Sequence, residues 1–447
     1  MKFNLSPSQI IALGFLGIIL FGTVILLLPV SSAAKSGISI VDAIFTSTSA
    51  VCVTGLVVLD TPNDLSLFGQ AAVLFLIQLG GLGYMTSATI LSIVVGKKVG
   101  LKERLVLQEA LNVLSVEGLI RFTKGVLKVT ILFESIGAVI LSIRFAADME
   151  PGRAVYFGIF HAVSAFNNAG FSLFSNNLID YRGDIVVNIV ITTLIITGGI
   201  GFLVISDIYK YMQRSVLRVS THTKMAILFT VVLIVSGTIF ILSFEYFNPN
   251  TLYPESMKTK LLTAYFQSVT SRTAGFNTLD ISMMQSSTLL LFIMLMFIGA
   301  SPGGTGGGIK TTTFGIMMVA LWSSVRGNTD VVVFERRLSH EAVARAYLIA
   351  AMGVIVITVA TLLLLVEEKA NYLHTLFEAA SAFGTVGLSV GDSGVRSLSA
   401  LFSDMGKLTI AFTMYIGRIG PLTMGMAVVK RAGAVNVRYP EGKVLIG

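Results

Sequence analysis

The chain has 447 residues, 54% of them hydrophobic and only 13% charged, against about 25% charged in soluble domains. With a mean hydropathy of +0.83, this excludes a soluble globular protein and predicts a polytopic membrane protein. The net charge of +8 would suit nucleic acid in a soluble chain, but here it is expected in cytoplasmic loops.

The first apolar segment runs from about Ile10 to Val30, with no charge between Lys2 and Lys35. It is too long for a signal-peptide core and long enough to cross a bilayer. A shorter apolar piece, Ala43 to Leu59, follows, with a re-entrant half-helix expected over Ile40–Ser49 and then a second span, Leu65 to Gly96. Span, half-helix, short loop and span make one unit, residues 1–98. Unit 2, residues 117–214, repeats the order: a span within Arg121–Ala146 interrupted by Glu134, a half-helix near Ala154–Ser164, and a span from Ile185 to Tyr211. Unit 3, residues 221–326, has Met225–Phe244, a half-helix near Ser256–Gln267, and a second span from about Ser287. Unit 4, residues 341–432, has Ala346–Val366, Asn371–Ser381 and Leu408–Val429, and residues 433–447 are left as a cytoplasmic tail. The expected architecture is all-α, with four repeated units around one central pore in the manner of potassium channels.

One motif recurs after every half-helix: Ser49-Ala-Val-Cys-Val-Thr-Gly55, Ser164-Ala-Phe-Asn-Asn-Ala-Gly170, Val269-Thr-Ser-Arg-Thr-Ala-Gly275 and Ser381-Ala-Phe-Gly-Thr-Val-Gly387. The third keeps the length and the final glycine without the opening serine. The glycines lie 115, 105 and 112 residues apart, and each is followed by Leu or Phe. A fixed period with a shared motif is an internal repeat. Glycine reaches positive φ at little cost and lets backbone approach a ligand, and Thr385-Val386-Gly387 echoes the carbonyl-lined filters of potassium channels. The candidate ion ligands are therefore the backbones of Val51, Cys52, Val53, Thr54 and Gly55; Phe166, Asn167, Asn168, Ala169 and Gly170; Ser271, Arg272, Thr273, Ala274 and Gly275; and Phe383, Gly384, Thr385, Val386 and Gly387. Cys52, the only cysteine, excludes an intrachain disulfide and reads as a small buried hydrophobe. The four histidines, scattered and without an HExxH pattern, make no metal site.

A second repeat lies in the second spans: Gly80-Gly-Leu-Gly83, Gly198-Gly-Ile-Gly201 and Gly417-Arg-Ile-Gly420. Small residues there let spans pack closely. In unit 3 the matching place expands into Gly299-Ala-Ser-Pro-Gly-Gly-Thr-Gly-Gly-Gly-Ile-Lys-Thr311. Its glycines disfavour a helix by about 1 kcal/mol each and its proline by about 3, so this span must break at membrane depth. Irregular backbone is tolerated there only where it is buried in protein or lines a cavity. Ser301, Gly303, Gly304, Thr305, Gly306, Gly307, Gly308 and Lys310 are the candidate gate, together with Arg418, the only charge between Lys407 and Lys430. The segment is not a nucleotide-binding P-loop, because Ile309 separates Gly308 from Lys310.

Basic residues cluster between the units: Lys97, Lys98, Lys102 and Arg104; Lys210, Arg214, Arg218 and Lys224; Arg326, Arg336, Arg337 and Arg345. Lys430, Arg431 and Arg438 follow the last span. By the positive-inside rule these sides and both termini are cytoplasmic. The repeated loops then open outward, where Asp60, Asp64, Asp148, Glu150, Asp180 and Asp184 would form an acidic mouth.

On these motifs, together with Asn167–Phe171, Arg272–Phe276, Gly417–Pro421 and Arg438–Gly442, the chain resembles the Trk/Ktr/HKT superfamily of potassium transporters, most closely its Ktr-type membrane subunits. The likeness covers nearly the whole chain. A glycine ends all four loops, whereas some HKT members carry serine in the first and pass sodium, so Gly55 favours potassium. The resemblance implies a homodimer with one pore per protomer in the cell membrane, and a cytosolic RCK-type nucleotide-binding ring (KtrA/KtrC-like) as regulator. It also implies potassium as substrate, sodium as a candidate activator, and no cofactor in this chain. A secondary cation transporter working by alternating access is the competing reading, although four copies in one direction differ from the usual two inverted repeats. A membrane enzyme would need a nucleophile, base or metal cluster that the sequence lacks.

Overall fold

Each half-helix is begun by its own cap. Ser39 accepts from the Asp42 amide at 3.0 Å, Ser256 from Thr259 at 3.3 Å and Asn371 from Leu373 at 2.9 Å, while Pro151 takes the first helical position in the second. A computed structural model describes residues 5–35, 37–83, 86, 100, 105–109, 119–368, 370–391 and 395–428. The helices are α1 (Pro7–Leu27), α2 (Ile40–Val51), α3 (Leu67–Leu82), α4 (Leu119–Phe145), α5 (Pro151–Phe166), α6 (Ile185–Gly199), α7 (Phe202–Met212) and α8 (Thr221–Glu245). They continue as α9 (Met257–Thr270), α10 (Ser286–Phe297), α11 (Thr311–Val325), α12 (His340–Glu368), α13 (Tyr372–Gly384), α14 (Asp404–Ile419) and α15 (Pro421–Val428). A two-stranded hairpin pairs Val332–Val333 with Arg336–Arg337 between units 3 and 4.

Among the described residues, four helices, α1, α4, α8 and α12, are long and apolar enough to cross a membrane. Their outward faces expose Leu20, Ile131, Val231 and Ile355, as side chains against lipid would be. The half-helices α2, α5, α9 and α13 have 12, 16, 14 and 13 residues. At 1.5 Å per residue they reach about 18–24 Å, short of a hydrocarbon core of about 30 Å. Each carries a fully buried phenylalanine at the same place, Phe45, Phe160, Phe266 and Phe377.

The second spans differ from the expectation of one continuous helix in units 1, 2 and 4. In unit 2, α6 and α7 meet at 95°. Gly201 at the corner has φ of 96°, and Gly83 and Gly420, which end α3 and α14, have 82° and 94°. The last glycine of each Gly-x-x-Gly is thus a helix terminator, so the second helices of units 1, 2 and 4 end at these glycines and that of unit 3 at its long loop. The chain beyond Gly83 to Gly96, the basic clusters Lys97–Arg104 and Lys430–Arg431, the Arg438–Gly442 run and the 433–447 tail lie outside the described residues.

The units close into a circle. Each half-helix packs on the second helix of the unit before it: α5 on α3, α9 on α6, α13 on α10, and α2 on α14 of the last unit. The closing contact carries an ion pair, Lys407 Nζ to Asp42 Oδ1 at 2.7 Å. It also has a hydrogen bond from the Tyr415 hydroxyl to the Ala12 carbonyl at 2.7 Å.

Candidate pore site

The C-termini of α2, α5, α9 and α13 deliver their chains directly into the four glycine-ended loops. Helix C-termini carry partial negative charge, so the site begins with a field that favours cations. The loops form a ring of backbone. A methyl group on Gly55 would strike the Ala169 carbonyl, on Gly170 the Ala274 carbonyl, on Gly275 the Val386 carbonyl, and on Gly387 the Thr54 carbonyl. Each glycine thus lies against the residue preceding the next unit's glycine, and the fourth returns to the first. No side chain fits at any of these positions.

The backbone alternates in hand within every loop. Val53 and Gly55 have φ of 49° and 88°, Asn168 and Gly170 59° and 70°, Thr273 and Gly275 both 79°, and Thr385 and Gly387 48° and 92°. An extended chain points successive carbonyls to opposite sides, and inverting every second residue turns them to one side. Four non-glycine residues held at positive φ are strained, and such strain clusters at functional sites.

A hydroxyl in the last turn of each half-helix fastens its loop from behind. Ser49, Ser164 and Thr270 donate to the carbonyls of Leu56, Phe171 and Phe276 at 2.7, 2.8 and 2.6 Å. Ser381 Oγ accepts from the Gly387 amide at 3.1 Å. In unit 3 the equivalent of serine is therefore Thr270, not Val269 as equal motif length suggested, because that loop is one residue shorter. The first glycine of each second-helix motif rests on its own half-helix: a Cβ at Gly80, Gly198 or Gly417 would strike the carbonyl of Val51, Phe166 or Phe383.

The four ring glycines line one vestibule, with Asp60, Asn177, Asn277, Ser389 and Arg396 on its walls. The acidic mouth is smaller than charge counting suggests. Asp148 and Asp184 both pair with Arg144, and Asp64 pairs with Arg396. Asp60 alone of the six acids lines the vestibule, and it accepts from Asn63 and Ser175.

The Ser301–Lys310 loop lies across the opposite side of the ring. Asn168 is hydrogen-bonded to Thr305 Oγ1 at 3.1 Å, Gly306 lies against the Thr273 hydroxyl, and the Gly307 amide donates to Thr385 Oγ1 at 2.9 Å. Those three partners are the positive-φ residues of loops 2, 3 and 4. Backbone bonds complete the seat: Ser301 to Gly199 O at 2.9 Å, Thr305 to Gly198 O at 3.1 Å and Phe202 to Gly303 O at 3.1 Å. Two cations grip the loop. Lys310 Nζ donates to Gly306 O at 2.7 Å. Arg418 donates to the carbonyls of Thr305 and Gly80, and at 3.2 Å to that of Gly81. Arg418 thus joins units 4, 3 and 1.

Not every residue of the loops serves the ring with its side chain. Arg272 is buried and reaches back to the Thr230 carbonyl in α8 at 3.3 Å. Cys52 caps α2 and is buried. Asn167 Nδ2 donates to Gln78 Oε1 and Glu134 Oε1 at 2.8 and 3.0 Å, so the intramembrane carboxylate noted in the sequence stands behind loop 2. No group of His, Cys, Asp and Glu fit to hold a metal is found among the described residues.

Four re-entrant half-helices ending on one closed ring of backbone, with a broken helix seated across the side opposite the vestibule, define a multi-pass membrane protein of the pore-loop class. The chain belongs to the TrkH family of cation transport proteins, which it matches over residues 11–435. That family is one of transporters, not enzymes. The chain is 42% identical to Ktr system potassium uptake protein B of Bacillus subtilis (strain 168) over 444 residues, 99% of this chain and 97% of that one. It is 37% identical to the potassium/sodium uptake protein NtpJ of Enterococcus hirae, covering 99% and 98% of the two chains. The crystal structure of the potassium transporter TrkH from Vibrio parahaemolyticus shares the fold, with a TM-score of 0.68 at 19% identity over 96% of this chain and 86% of that one.

Proposed function

We propose that this chain is the ion-translocating membrane subunit of a potassium uptake system. The ring is its selectivity filter and the Ser301–Lys310 loop its gate. The observation that carries the reading is the cyclic contact of Gly55, Gly170, Gly275 and Gly387, which makes one carbonyl-lined passage from four loops. Potassium sheds its water there and is held by the backbone oxygens of residues 51–54, 166–169, 271–274 and 383–386. The name of the Bacillus relative, at 42% identity, supports potassium as the cargo. That of the Enterococcus relative keeps sodium as a second ion.

The loop blocks the passage and must leave for ions to pass. Arg418 holds it shut and places a positive charge below the filter. A cytosolic RCK-type nucleotide-binding ring governs the loop, and the exposed Lys210, Arg214 and Arg218 and the Arg336–Arg337 hairpin are docking surfaces offered by the described residues. Protomers pair into homodimers, and both termini are cytoplasmic.

Rubidium uptake into liposomes holding the purified chain tests the reading, with sodium as competitor and with and without an opposing sodium gradient. Saturable uptake that prefers potassium and runs down its own gradient is expected. Uptake that requires the sodium gradient would favour coupled transport instead.

A further inference from the structure

The residue immediately after each buried phenylalanine of the half-helices is polar: Thr46, His161, Gln267 and Glu378. Three are fully buried and Thr46 is 3% exposed. Each stands three residues before the hydroxyl that fastens its loop, and so behind the strand that leaves the ring glycine for the vestibule. In unit 2, His161 Nε2 is hydrogen-bonded at 3.0 Å to the hydroxyl of Ser172, two residues past the glycine. In unit 4, Ser389, also two residues past its glycine, donates to Glu378 Oε2 at 2.6 Å. Gln267, with its amide turned to suit its neighbours, accepts from the amides of Thr278 and Leu279 at 3.0 and 3.1 Å. Unit 1 breaks the pattern. Thr46 Oγ1 has no partner among the described residues, and the residue two past its glycine is Val57, which has no polar side chain.

What holds the outer strand of unit 1 comes from unit 4. The Val57 amide donates to Ser397 Oγ at 2.8 Å, and the Ser397 amide donates back to the Val57 carbonyl at 2.9 Å. Ser397 opens the short turn Leu398–Leu401, and that turn is anchored on Glu378. The Ser399 amide and hydroxyl both donate to Glu378 Oε1, at 3.0 and 2.5 Å. The Leu398 amide donates to Ser389 Oγ at 2.7 Å, closing the network. One carboxyl group therefore faces two strands: its own through Ser389, and that of unit 1 through Ser399 and Ser397.

We propose that Glu378 is a positioning residue for the filter, holding the outer strands of units 4 and 1 together through Ser389 and the Ser397–Ser399 turn. The inference rests on the ring being the filter. Strands 1 and 4 are neighbours in the ring, where Gly387 meets the Thr54 carbonyl, so loosening the strut widens that junction. A carbonyl cage is then free to shrink or swell around ions of different radius, and discrimination falls while passage continues.

The test is rubidium uptake in liposomes with sodium competition, measured as KM, kcat and the potassium-to-sodium ratio. Glu378→Ala is expected to lower the ratio about tenfold, as loss of hydrogen bonds to a carboxylate implies, with KM moving more than kcat. Glu378→Gln keeps an acceptor for Ser399 and should recover most of the preference. Ser397→Ala removes only the hydroxyl that accepts from the Val57 amide, keeps the backbone bond back to Val57, and should shift the ratio the same way by a smaller factor. If Glu378→Ala does not fold, Ser397→Ala and Ser399→Ala decide. Wild-type ratios in both serine variants, or in a folded Glu378→Ala protein, overturn the proposal. Gly387→Ser separates the two readings. If it changes the ratio while the strut variants do not, the strut alone is wrong. If it too leaves the ratio unchanged, the filter reading fails and takes the strut with it.

Discussion

The Gly307 amide is bonded to the hydroxyl of Thr385 at 2.9 Å, and Thr385 is one of the four non-glycine residues held at positive φ in the ring. The loop is therefore bonded to the side chain of a strained ring residue and does not merely fill the space below it. Movement of the loop and the conformation of the ring share a bond.

Replacing Thr385 with Val removes that bond and keeps the shape. We expect the loop to be released more readily, with faster rubidium uptake at a similar potassium preference. Flux at the wild-type rate would mean that the Gly307–Thr385 bond does not restrain the loop.

Deleting Gly304–Gly307 removes the part of the loop seated on Gly198, Thr273 and Thr385. Uptake in liposomes should rise and become independent of any cytosolic regulator. A folded deletion protein with unaltered flux would rule the gate out.

Arg418→Gln keeps hydrogen-bonding capacity while deleting the charge that reaches Thr305 and Gly80. Several-fold faster uptake in a folded protein is expected, because a barrier to cations is removed. Should the variant fail to assemble, or assemble with unchanged flux, Arg418 is a structural clamp.

Gly198→Ala would drive a methyl group into the Phe166 carbonyl. Overpacking of this kind costs about 1–3 kcal/mol, so thermal unfolding in detergent should come earlier. Gly83→Ala, where nothing among the described residues lies within 4 Å of the added carbon, should suffer from its positive φ, about 1–3 kcal/mol.

Thr270→Val should cost about 1 kcal/mol through the lost bond to Phe276, and Thr270→Ser should restore it. Equal unfolding temperatures for all three proteins would show that the hydroxyl does not fasten loop 3.

Much of this plan could be read from the sequence because it is written in glycine and in hydrophobic length. Gly55, Gly170, Gly275 and Gly387 stand out by spacing, and the Gly299–Thr311 run is too rich in glycine to remain a helix. Other features carry weaker signals. Gly83, Gly201 and Gly420 look like small packing residues, since a single glycine in an apolar helix is tolerated, and only their positive φ marks the breaks. Thr270 was hidden by a one-residue shortening that made Val269 align with the serines. The order of units around the ring is a matter of long-range contacts such as Lys407 with Asp42, which no local pattern encodes. The strut at Glu378 did leave a trace, a buried phenylalanine followed by a polar residue on every half-helix, but the four polar residues differ and so do not register as a repeat.

Besides its side-chain contacts, the loop across the ring is held by carbonyls and amides of Gly198, Gly199, Gly303 and Ser301, groups that water replaces at a net cost of only about 0.5–1.5 kcal/mol each. On the proposed gating, release of the loop is a wetting event, in which incoming solvent takes over these backbone bonds as the loop lets go. The number of water molecules absorbed should then appear as a sensitivity of uptake to osmotic stress: a solute too large to enter the passage would dry the seat and slow transport, while small permeant solutes at equal osmolality would not.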